Sequence, residues 1–249
     1  MFEMTVQTFT LMTGLLMIKK NKSSITNRKE TEKSKRTKEL IYSTAISLFQ
    51  KESYEKATMR LIASKAGVAL GATYYHFKTK EDIVMYFYTI SQDDAKIQSL
   101  EFCRATEDFK LRLKNIISYK LDYFSEYYNF ISVLAKHAAD PNHPLSPFSK
   151  ETTEVREEAI QIIRDALETS NLNLKNEVSL HLPELLWLYQ LGITYYWISD
   201  TSKSHKNTET LINESLDLVF KLVKMSKLPF FKTILGSMFK IIRLIKVPN

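Results

Sequence analysis

Residues 58–77 read TMRLIASKAGVALGATYYHF and predict two short helices separated by a glycine. Thr58 precedes the first helix, where a hydroxyl side chain caps exposed backbone N–H groups. Gly67 supplies the turn, because glycine enters the left-handed region without steric cost. Four apolar residues of the first helix recur at the spacing of one helical face: Met59, Ile62, Ala63 and Ala66.

The second short helix, Leu70 to His76, has the size of a DNA-reading element. Its seven residues make about two turns, roughly 10 Å at 1.5 Å per residue, which the major groove of B-DNA admits. Small side chains come first, and Tyr74, Tyr75 and His76 follow. The stretch therefore predicts a helix-turn-helix that contacts DNA.

Residues on both sides of the motif extend the pattern: Leu40, Ile41, Ala45, Leu48, Phe49, Tyr54, Val68, Gly71, Phe77 and the run Lys78 to Glu81. This pattern, over about residues 37–85, resembles the tetracycline-repressor (TetR) family. The resemblance implies an all-α fold, with an N-terminal three-helix helix-turn-helix DNA-binding domain followed by a helical ligand-binding and dimerisation domain. It also implies a homodimeric repressor that a small molecule releases from a palindromic operator.

The resemblance assigns DNA contacts to particular positions. Thr58 and Arg60 begin the second helix of the family pattern, where phosphates and sometimes a base are contacted. The third helix carries Leu70, Gly71 and Ala72 at base edges and Tyr74, Tyr75 and His76 at phosphates. The remaining assigned residues are Ala69, which opens the third helix, and Lys80, a phosphate contact at the start of the fourth.

Three positions depart from the family pattern. Ala69 replaces the usual Ser or Thr, which removes a cap worth about 1 kcal/mol. Ala72 lacks a common hydroxyl, and Thr73 stands where an apolar residue is usual. Leu70 and Ala72 can contact thymine methyl groups, and Arg60 is the only strong guanine reader in the motif. We therefore expect A·T-rich inner half-sites with at most one Arg60-dependent G·C pair.

Other conspicuous residues of the motif have a structural interpretation. For Tyr74, packing between helices is an alternative to phosphate contact. For a further four residues core packing is the preferred interpretation: Ile62, Ala66, Val68 and Phe77.

Composition agrees with a helical chain, since 249 residues include only five Gly and six Pro. The length suits one or two domains with an ample core. A single cysteine, Cys103, excludes an intramolecular disulfide and is typical of a cytoplasmic protein. Phosphate-loop, dinucleotide-binding and nucleophile-elbow motifs do not occur, so we expect neither an enzyme nor a cofactor. His137 and His143 flank Asp140 without forming a recognisable zinc set, so no metal is expected.

Charge is unevenly distributed along the chain. Residues 1–36 contain eight Lys/Arg and three acids, and residues 37–83 contain seven and five. Residues 84–220 contain thirteen and twenty, whereas residues 221–249 contain seven and none. An acidic centre repels DNA, so we expect the N-terminal third to supply the phosphate-neutralising charge.

These patterns divide the chain into four regions. Residues 1–33 are expected to be a basic, disordered extension. Alternatively, the start is wrongly assigned and Met17, rather than Met1, is the first residue. The apolar stretch Phe9–Ile18 is too short to span a bilayer. Residues 34–94 form the DNA-binding domain, 95–227 the helical regulatory and dimerisation domain, and 228–249 a basic amphipathic tail.

Apolar periodicity beyond Lys80 predicts helices at about 81–104, 107–128, 130–139, 150–169, 175–200 and 207–226. A proline-rich loop separates the third from the fourth. In the TetR family, which this chain resembles, the last two long helices form a four-helix bundle with those of the second subunit of the dimer. An intramolecular core would show the same apolar pattern. The interface residues expected from this comparison are Leu185, Leu188, Gly192, Tyr195, Tyr196, Leu211, Leu218 and Leu222.

The regulatory region is rich in aromatic residues, which suits a cavity for an apolar or planar ligand. Core packing is the alternative for each of them, and both fatty acyl chains and aromatic drugs remain open as effectors. The candidate pocket residues are Phe102, Tyr119, Tyr123, Tyr127, Phe130 and Trp187.

The segment Leu228–Lys246 predicts a basic amphipathic helix that contains no acid. It can dock on the acidic regulatory domain or make a weak contact with an anionic membrane surface. The second possibility defines the alternative function, a membrane-surface-associated helical adaptor or sensor.

Overall fold

The structure, a computed structural model, describes residues 31–174 and 177–225. The predicted N-terminal extension, apart from residues 31–33, and the predicted tail helix lie outside this range. The described residues fall into two units that divide between Thr37 and Lys38. In the first unit the Ser34 N–H donates to Thr31 Oγ1 at 3.2 Å, which caps the first helix.

All regular structure in the described residues is helical, which confirms the predicted fold class. Within this part of the chain, no helix is long and apolar enough to cross a bilayer. The helices are α1 (Glu32–Glu52), α2 (Met59–Ala66), α3 (Leu70–His76), α4 (Lys80–Ala105), α5 (Phe109–Ser125), α6 (Tyr128–Ala138), α7 (Thr153–Glu168), α8 (Glu177–Ser199) and α9 (Lys206–Met225).

The six helices predicted beyond Lys80 correspond to α4–α9, with each end within three residues of its predicted position. Side-chain caps explain where two of them begin. Thr79 and Asp82 form a reciprocal capping box at the start of α4, and Asp108 accepts the Leu111 N–H at the start of α5. The predicted domain boundary between residues 94 and 95 falls inside α4, which continues through it without a break.

One apolar core extends from the helix-turn-helix region into the later helices. The Phe130 ring of α6 stacks on Phe49 of α1 with centroids 5.3 Å apart. The same ring meets Phe87 of α4 edge-on, also at 5.3 Å. All three rings are buried, so α1, α4 and α6 are held together by direct aromatic contact.

Arg112 on α5 is only 2% exposed, and it ties together the ends of two neighbouring helices. Its guanidinium donates to the carbonyls of Cys103 at 2.8 Å and Thr106 at 2.6 Å, at the end of α4. It also donates to the Ala166 carbonyl at 2.8 Å and Thr169 Oγ1 at 2.9 Å, at the end of α7. A cation placed at helix C-termini satisfies carbonyls that have no partner within their own helix.

Replacement of Arg112 by methionine should lower the free energy of unfolding by about 3 kcal/mol, because buried carbonyls lose their donors. Urea unfolding followed by circular dichroism measures the change. Arg104→Met is the control, since Arg104 is exposed and pairs with the exposed Glu101, so its replacement should cost less than about 1 kcal/mol. Equal losses in the two variants would contradict the bridging role of Arg112.

Candidate nucleic-acid interface and ligand cavity

The turn of the helix-turn-helix forms as its sequence predicts. Thr58 Oγ1 accepts the Leu61 N–H at 3.1 Å, which confirms the predicted N-cap. Gly67 ends α2 with φ 66°, in the left-handed region where a side chain would be strained. The Val68 N–H then donates to the Ala63 carbonyl at 3.1 Å and closes the turn.

Burial divides the motif into an inner and an outer face. Tyr75 is 78% exposed and Tyr74 48% exposed, so neither ring is a core residue. The other predicted contacts that lie exposed are Thr58, Arg60, Ala69 and Gly71, whereas Leu70, Ala72, His76 and Lys80 are half-buried. The inner face consists of Met59, Ile62, Ala63, Ala66, Thr73 and Phe77.

The departures from the family pattern leave α3 intact. Ala69 makes no side-chain cap, as its methyl group requires, but its carbonyl accepts the N–H groups of Ala72 and Thr73. Thr73 is fully buried, and its hydroxyl donates to the Ala69 carbonyl at 3.4 Å. A hydroxyl is therefore tolerated at this apolar position because the helix itself supplies an acceptor.

Lys80 has a partner within the protein. Its ammonium donates to the Tyr54 carbonyl at 2.8 Å and lies 4.4 Å from the centroid of the Tyr54 ring. The Tyr54 hydroxyl donates to Glu81 Oε1 at 2.6 Å. Lys80 and Glu81 thus hold the α1–α2 connection against the start of α4, and phosphate contact by Lys80 stays a prediction.

A cavity of about 150 Å³ lies between α4, α5, α6, α7 and α8. Helix α6 contributes Ile131, Leu134, Ala135 and Ala138 to its wall, and α8 contributes a run from Trp187 to Ile198. Polar atoms enter from Ser91 and Gln92 of α4, Lys120 of α5 and Arg156 of α7. The cavity, which is open on one side, is mainly apolar with a few polar groups, as is usual for small-molecule sites.

Of the six aromatic residues predicted for a pocket, Trp187 lines this cavity and the other five do not. Phe130 is fully buried between Phe49 and Phe87. The ring centroids of Phe102 and Tyr119 lie 6.1 Å apart, and those of Tyr123 and Tyr127 lie 5.6 Å apart. These five aromatic residues therefore pack against other aromatic rings outside the cavity lining.

Lys120 is the buried cation among the cavity residues that the sequence patterns did not predict. It is 5% exposed, and its ammonium donates to the Ser91 carbonyl at 3.1 Å, Ser91 Oγ at 3.2 Å and Gln92 Oε1 at 3.2 Å. Burial lowers the pKa of Lys120 to about 7, and the negative charge of Asp94 opposes that shift. Its position follows the apolar spacing of Leu113, Ile116 and Ile117, so a lysine on an apolar stripe was the available signal.

The predicted dimer residues lie on accessible parts of α8 and α9. Gly192, Tyr195, Tyr196, Leu218 and Leu222 are exposed. Leu185, Leu188 and Leu211 are half-buried. Tyr195 also lines the cavity, so the predicted dimer surface reaches the observed cavity at that residue.

Family comparisons match both parts of the chain. Residues 41–86 match the family described as "Bacterial regulatory proteins, tetR family". Residues 112–239 match "Tetracyclin repressor-like, C-terminal domain". The second match covers half of the chain, and together the two include the helix-turn-helix and the cavity-lining residues of α5–α8, whereas Tyr88, Ser91 and Gln92 of α4 lie between the two matches. The chain belongs to the TetR family of transcriptional regulators.

Sequence relatives match over limited lengths. The uncharacterised HTH-type regulator YerO of Bacillus subtilis is 34% identical over 99 residues, which are 39% of this chain and 34% of YerO. AcrR of Shigella flexneri is 31% identical over 75 residues, covering 30% and 35% of the two chains. The aligned part of this chain thus spans about a third of the length of these relatives.

Solved structures resemble the fold over most of their length. A TetR regulator from Nitrosomonas europaea has a TM-score of 0.56 at 17% identity, over 74% of this chain and 97% of the other. Thermus thermophilus FadR, a TetR-family repressor crystallised with lauroyl-CoA, has a TM-score of 0.53 at 15% identity, over 71% and 93%. These likenesses support the fold.

Lys120→Met should stabilise the DNA-free protein, and its advantage should shrink as the pH rises from 7 towards 10. Because the folded-state pKa of Lys120 lies below the ordinary 10.5, the unfolded wild-type chain binds more protons in this window. Wild-type stability therefore rises with pH there. Urea unfolding at pH 6.5, 8 and 9.5, compared between variant and wild type, measures the effect.

Lys114→Met provides the matched control, since it removes a lysine from α5 outside the cavity lining. A stability difference between wild type and Lys120→Met that does not change with pH would contradict the cost assigned to the buried ammonium.

Proposed function

We propose that this chain is a homodimeric repressor that binds a palindromic DNA operator and releases it when a small molecule occupies the cavity. The observation that carries the proposal is the division of the helix-turn-helix into a buried apolar face and an exposed face. The exposed face includes Arg60, Gly71 and Tyr75.

The exposed face has the chemistry of groove contact. Small residues at Ala69, Gly71 and Ala72 allow α3 to approach base edges closely, and Leu70 can meet thymine methyl groups. Tyr74 and Tyr75 place hydroxyl groups where phosphates flank the groove. Residues 37–83 carry two more basic than acidic side chains, whereas residues 84–220 carry seven more acidic than basic ones. The region that contains the motif therefore attracts DNA phosphates, whereas the region after it repels them.

Dimer formation is supported by apolar surface on the last two described helices. Leu218 is 58% exposed, and Leu222, Tyr196 and Met225 are also exposed on α8 and α9. An apolar patch of this kind marks a protein interface more often than free surface. A two-fold pair of chains would present two copies of α3 to half-sites about one helical turn apart.

Ligand-induced release is supported by the position of α6, which lines the cavity and also contacts α1 and the α1–α2 connection. Leu134 and Ala135 line the cavity, whereas Phe130 packs on Phe49 of α1. His137 Nε2 lies 3.0 Å from Glu55 Oε1 in the connection between α1 and α2. A ligand that favours one position of α6 therefore changes the support of the DNA-reading helices, and coupling of about 1 to 3 kcal/mol is typical.

The alternative of a membrane-associated adaptor is not favoured. The C-terminal family match continues to residue 239, so it includes half of the basic tail on which that alternative depended. A DNA operator as partner also implies the cytoplasmic location that the cysteine content suggested.

Two substitutions in the motif should have different effects on operator binding. Tyr75→Ala should weaken binding to all operator variants about tenfold, since it removes a phosphate contact. Arg60→Ala should relax preference at one base pair per half-site, at a cost of about 1 to 3 kcal/mol for the preferred base. Fluorescence anisotropy with a panel of operator duplexes at fixed salt measures both.

The control for these measurements is Leu111→Ala, which removes an exposed apolar side chain of α5 far along the chain from the motif. Loss of affinity for all duplexes in Arg60→Ala would make Arg60 a phosphate anchor. Unchanged binding in Tyr75→Ala would remove the main support for α3 as the reading helix.

The proposed dimer predicts that Leu218→Glu yields monomers, because a buried carboxylate at an apolar interface costs several kcal/mol. Sedimentation velocity at micromolar concentration measures the oligomeric state. Leu111→Glu, at a comparably exposed leucine on α5, should leave the dimer intact. A dimer that persists in Leu218→Glu, or is lost in both variants, would place the interface elsewhere.

A further inference from the structure

The charge of the cavity lining is one-sided. Two basic side chains, Lys120 and Arg156, reach it, and among the described lining residues there is no Asp or Glu. The remaining wall is largely apolar and includes Leu134, Ala135, Trp187 and Ile198. A charged group that enters this space therefore meets positive charge in a surrounding of low polarity.

Lys120 has hydrogen-bond acceptors, but all of them are neutral. Its ammonium donates to two oxygens of Ser91 and to the side-chain oxygen of Gln92, and it lies 5.3 Å from the centroid of the Phe124 ring. Ion pairs within 4.0 Å in the described part of the chain do not include Lys120. Asp94 acts on it from a greater distance, while accepting a hydrogen bond from Tyr119.

Arg156 is likewise held by neutral acceptors. Its guanidinium donates to the Pro147 carbonyl at 2.8 Å and the Ser149 carbonyl at 3.2 Å. A further bond goes to Thr153 Oγ1 at 3.0 Å. These bonds fix the guanidinium beside the cavity without neutralising its charge, so both cations contribute to a positive potential there.

The size of the cavity limits the body of a ligand. A cavity of about 150 Å³ compares with the engineered space of similar volume that accommodates benzene. One ring or a short branched chain therefore fits inside, and a longer substituent would extend through the open side.

We infer that the cavity binds a small organic anion, a carboxylate on a compact apolar body, one of whose oxygens displaces a neutral acceptor of Lys120 and accepts the hydrogen bond from its ammonium in that acceptor's place. This inference rests on the proposed function for the consequence of binding, which is release of DNA. A buried ammonium without a counter-ion is costly, and a carboxylate that enters beside it supplies the missing partner. A neutral molecule of the same shape leaves that cost in place.

The first test measures binding to the DNA-free wild-type protein by isothermal titration calorimetry. The probes are benzoate, benzamide and benzylammonium, which share one ring and differ in charge. Benzoate should bind about tenfold more tightly than benzamide, because the charge-assisted bond is the stronger one, and benzylammonium should bind least. Equal or stronger binding of benzamide or benzylammonium, or no binding of benzoate at millimolar concentration, would overturn the inference.

The second test removes the positive charge. Lys120→Met should lose the preference for benzoate over benzamide while still binding benzamide, which shows that the cavity persists. Lys114→Met on the same helix should keep the preference. An unchanged preference in Lys120→Met would overturn the inference.

A proton balance gives an independent readout of Lys120. At pH 8 the free lysine is mostly neutral, since its pKa lies at about 7. Bound carboxylate raises that pKa, so about one proton should be taken up per benzoate at pH 8 and far less at pH 6. The other titratable or charged groups nearby are Asp94 and Tyr88 of α4, Arg156 of α7 and Tyr195 of α8.

Proton uptake is measured by repeating the pH 8 titration in buffers of different ionisation enthalpy. It should vanish in Lys120→Met and persist in Lys114→Met. Uptake that survives in Lys120→Met would assign the proton to another group and overturn the role of Lys120.

Operator release is measured separately, by adding benzoate to the protein–DNA complex. Binding to the DNA-free protein decides the inference about the ligand, whatever happens to the operator. If benzoate binds with the expected Lys120 dependence but leaves operator affinity unchanged, the ligand class stands and ligand-induced release, as proposed above, fails.

Discussion

The position of α6 depends on the Phe130 ring, which is fully buried between Phe49 of α1 and Phe87 of α4. Closely packed aromatic rings resist small displacements, because any gap forfeits dispersion contacts with several neighbours at once. Helix α6 therefore cannot shift far without repacking α1, and α1 is the helix that leads into the helix-turn-helix. The helix-turn-helix and the cavity wall share one core.

A shared core provides a structural route for the proposed effect of cavity occupancy. The wall residues Leu134 and Ala135 and the contact residue His137 lie on the same three-turn helix, within four residues of one another. Glu55, the partner of His137, belongs to the α1–α2 connection. Lys80, at the start of α4, holds this connection in place through its hydrogen bond to the Tyr54 carbonyl. The connection thus contacts both α4 and α6, and under the proposed function a shift of α6 would be transmitted through it to the start of α2. The proposed coupling needs no contact between the ligand and the predicted DNA-contact residues.

The sequence predicted those features that depend on periodicity and local capping. Met59 and Ile62 were expected on the inner face and are buried, and Thr58 and Gly67 cap α2 as expected. Periodicity identifies which side of a helix is buried, but not whether a buried ring faces a void or another ring. For that reason the aromatic cluster around Tyr123 was a plausible pocket in the sequence, whereas in the structure Tyr123 and Tyr127 contact each other. Distinguishing the two requires distances between residues far apart in the chain.

The apolar stripe of α5 contains two cations, and their surroundings give them opposite roles. Arg112 and Lys120 both follow the spacing of Phe109, Leu113 and Ile116, and both are buried. The guanidinium of Arg112 reaches four acceptors at the ends of α4 and α7, so its donors close a structural junction and face no open space. The Lys120 ammonium is bonded only to neutral oxygens of α4 beside a cavity, and no acidic residue lines that cavity within the described ranges. Since natural cores rarely retain a buried cation without a counter-ion unless it has a use, the second cation is better explained by a ligand than by the fold.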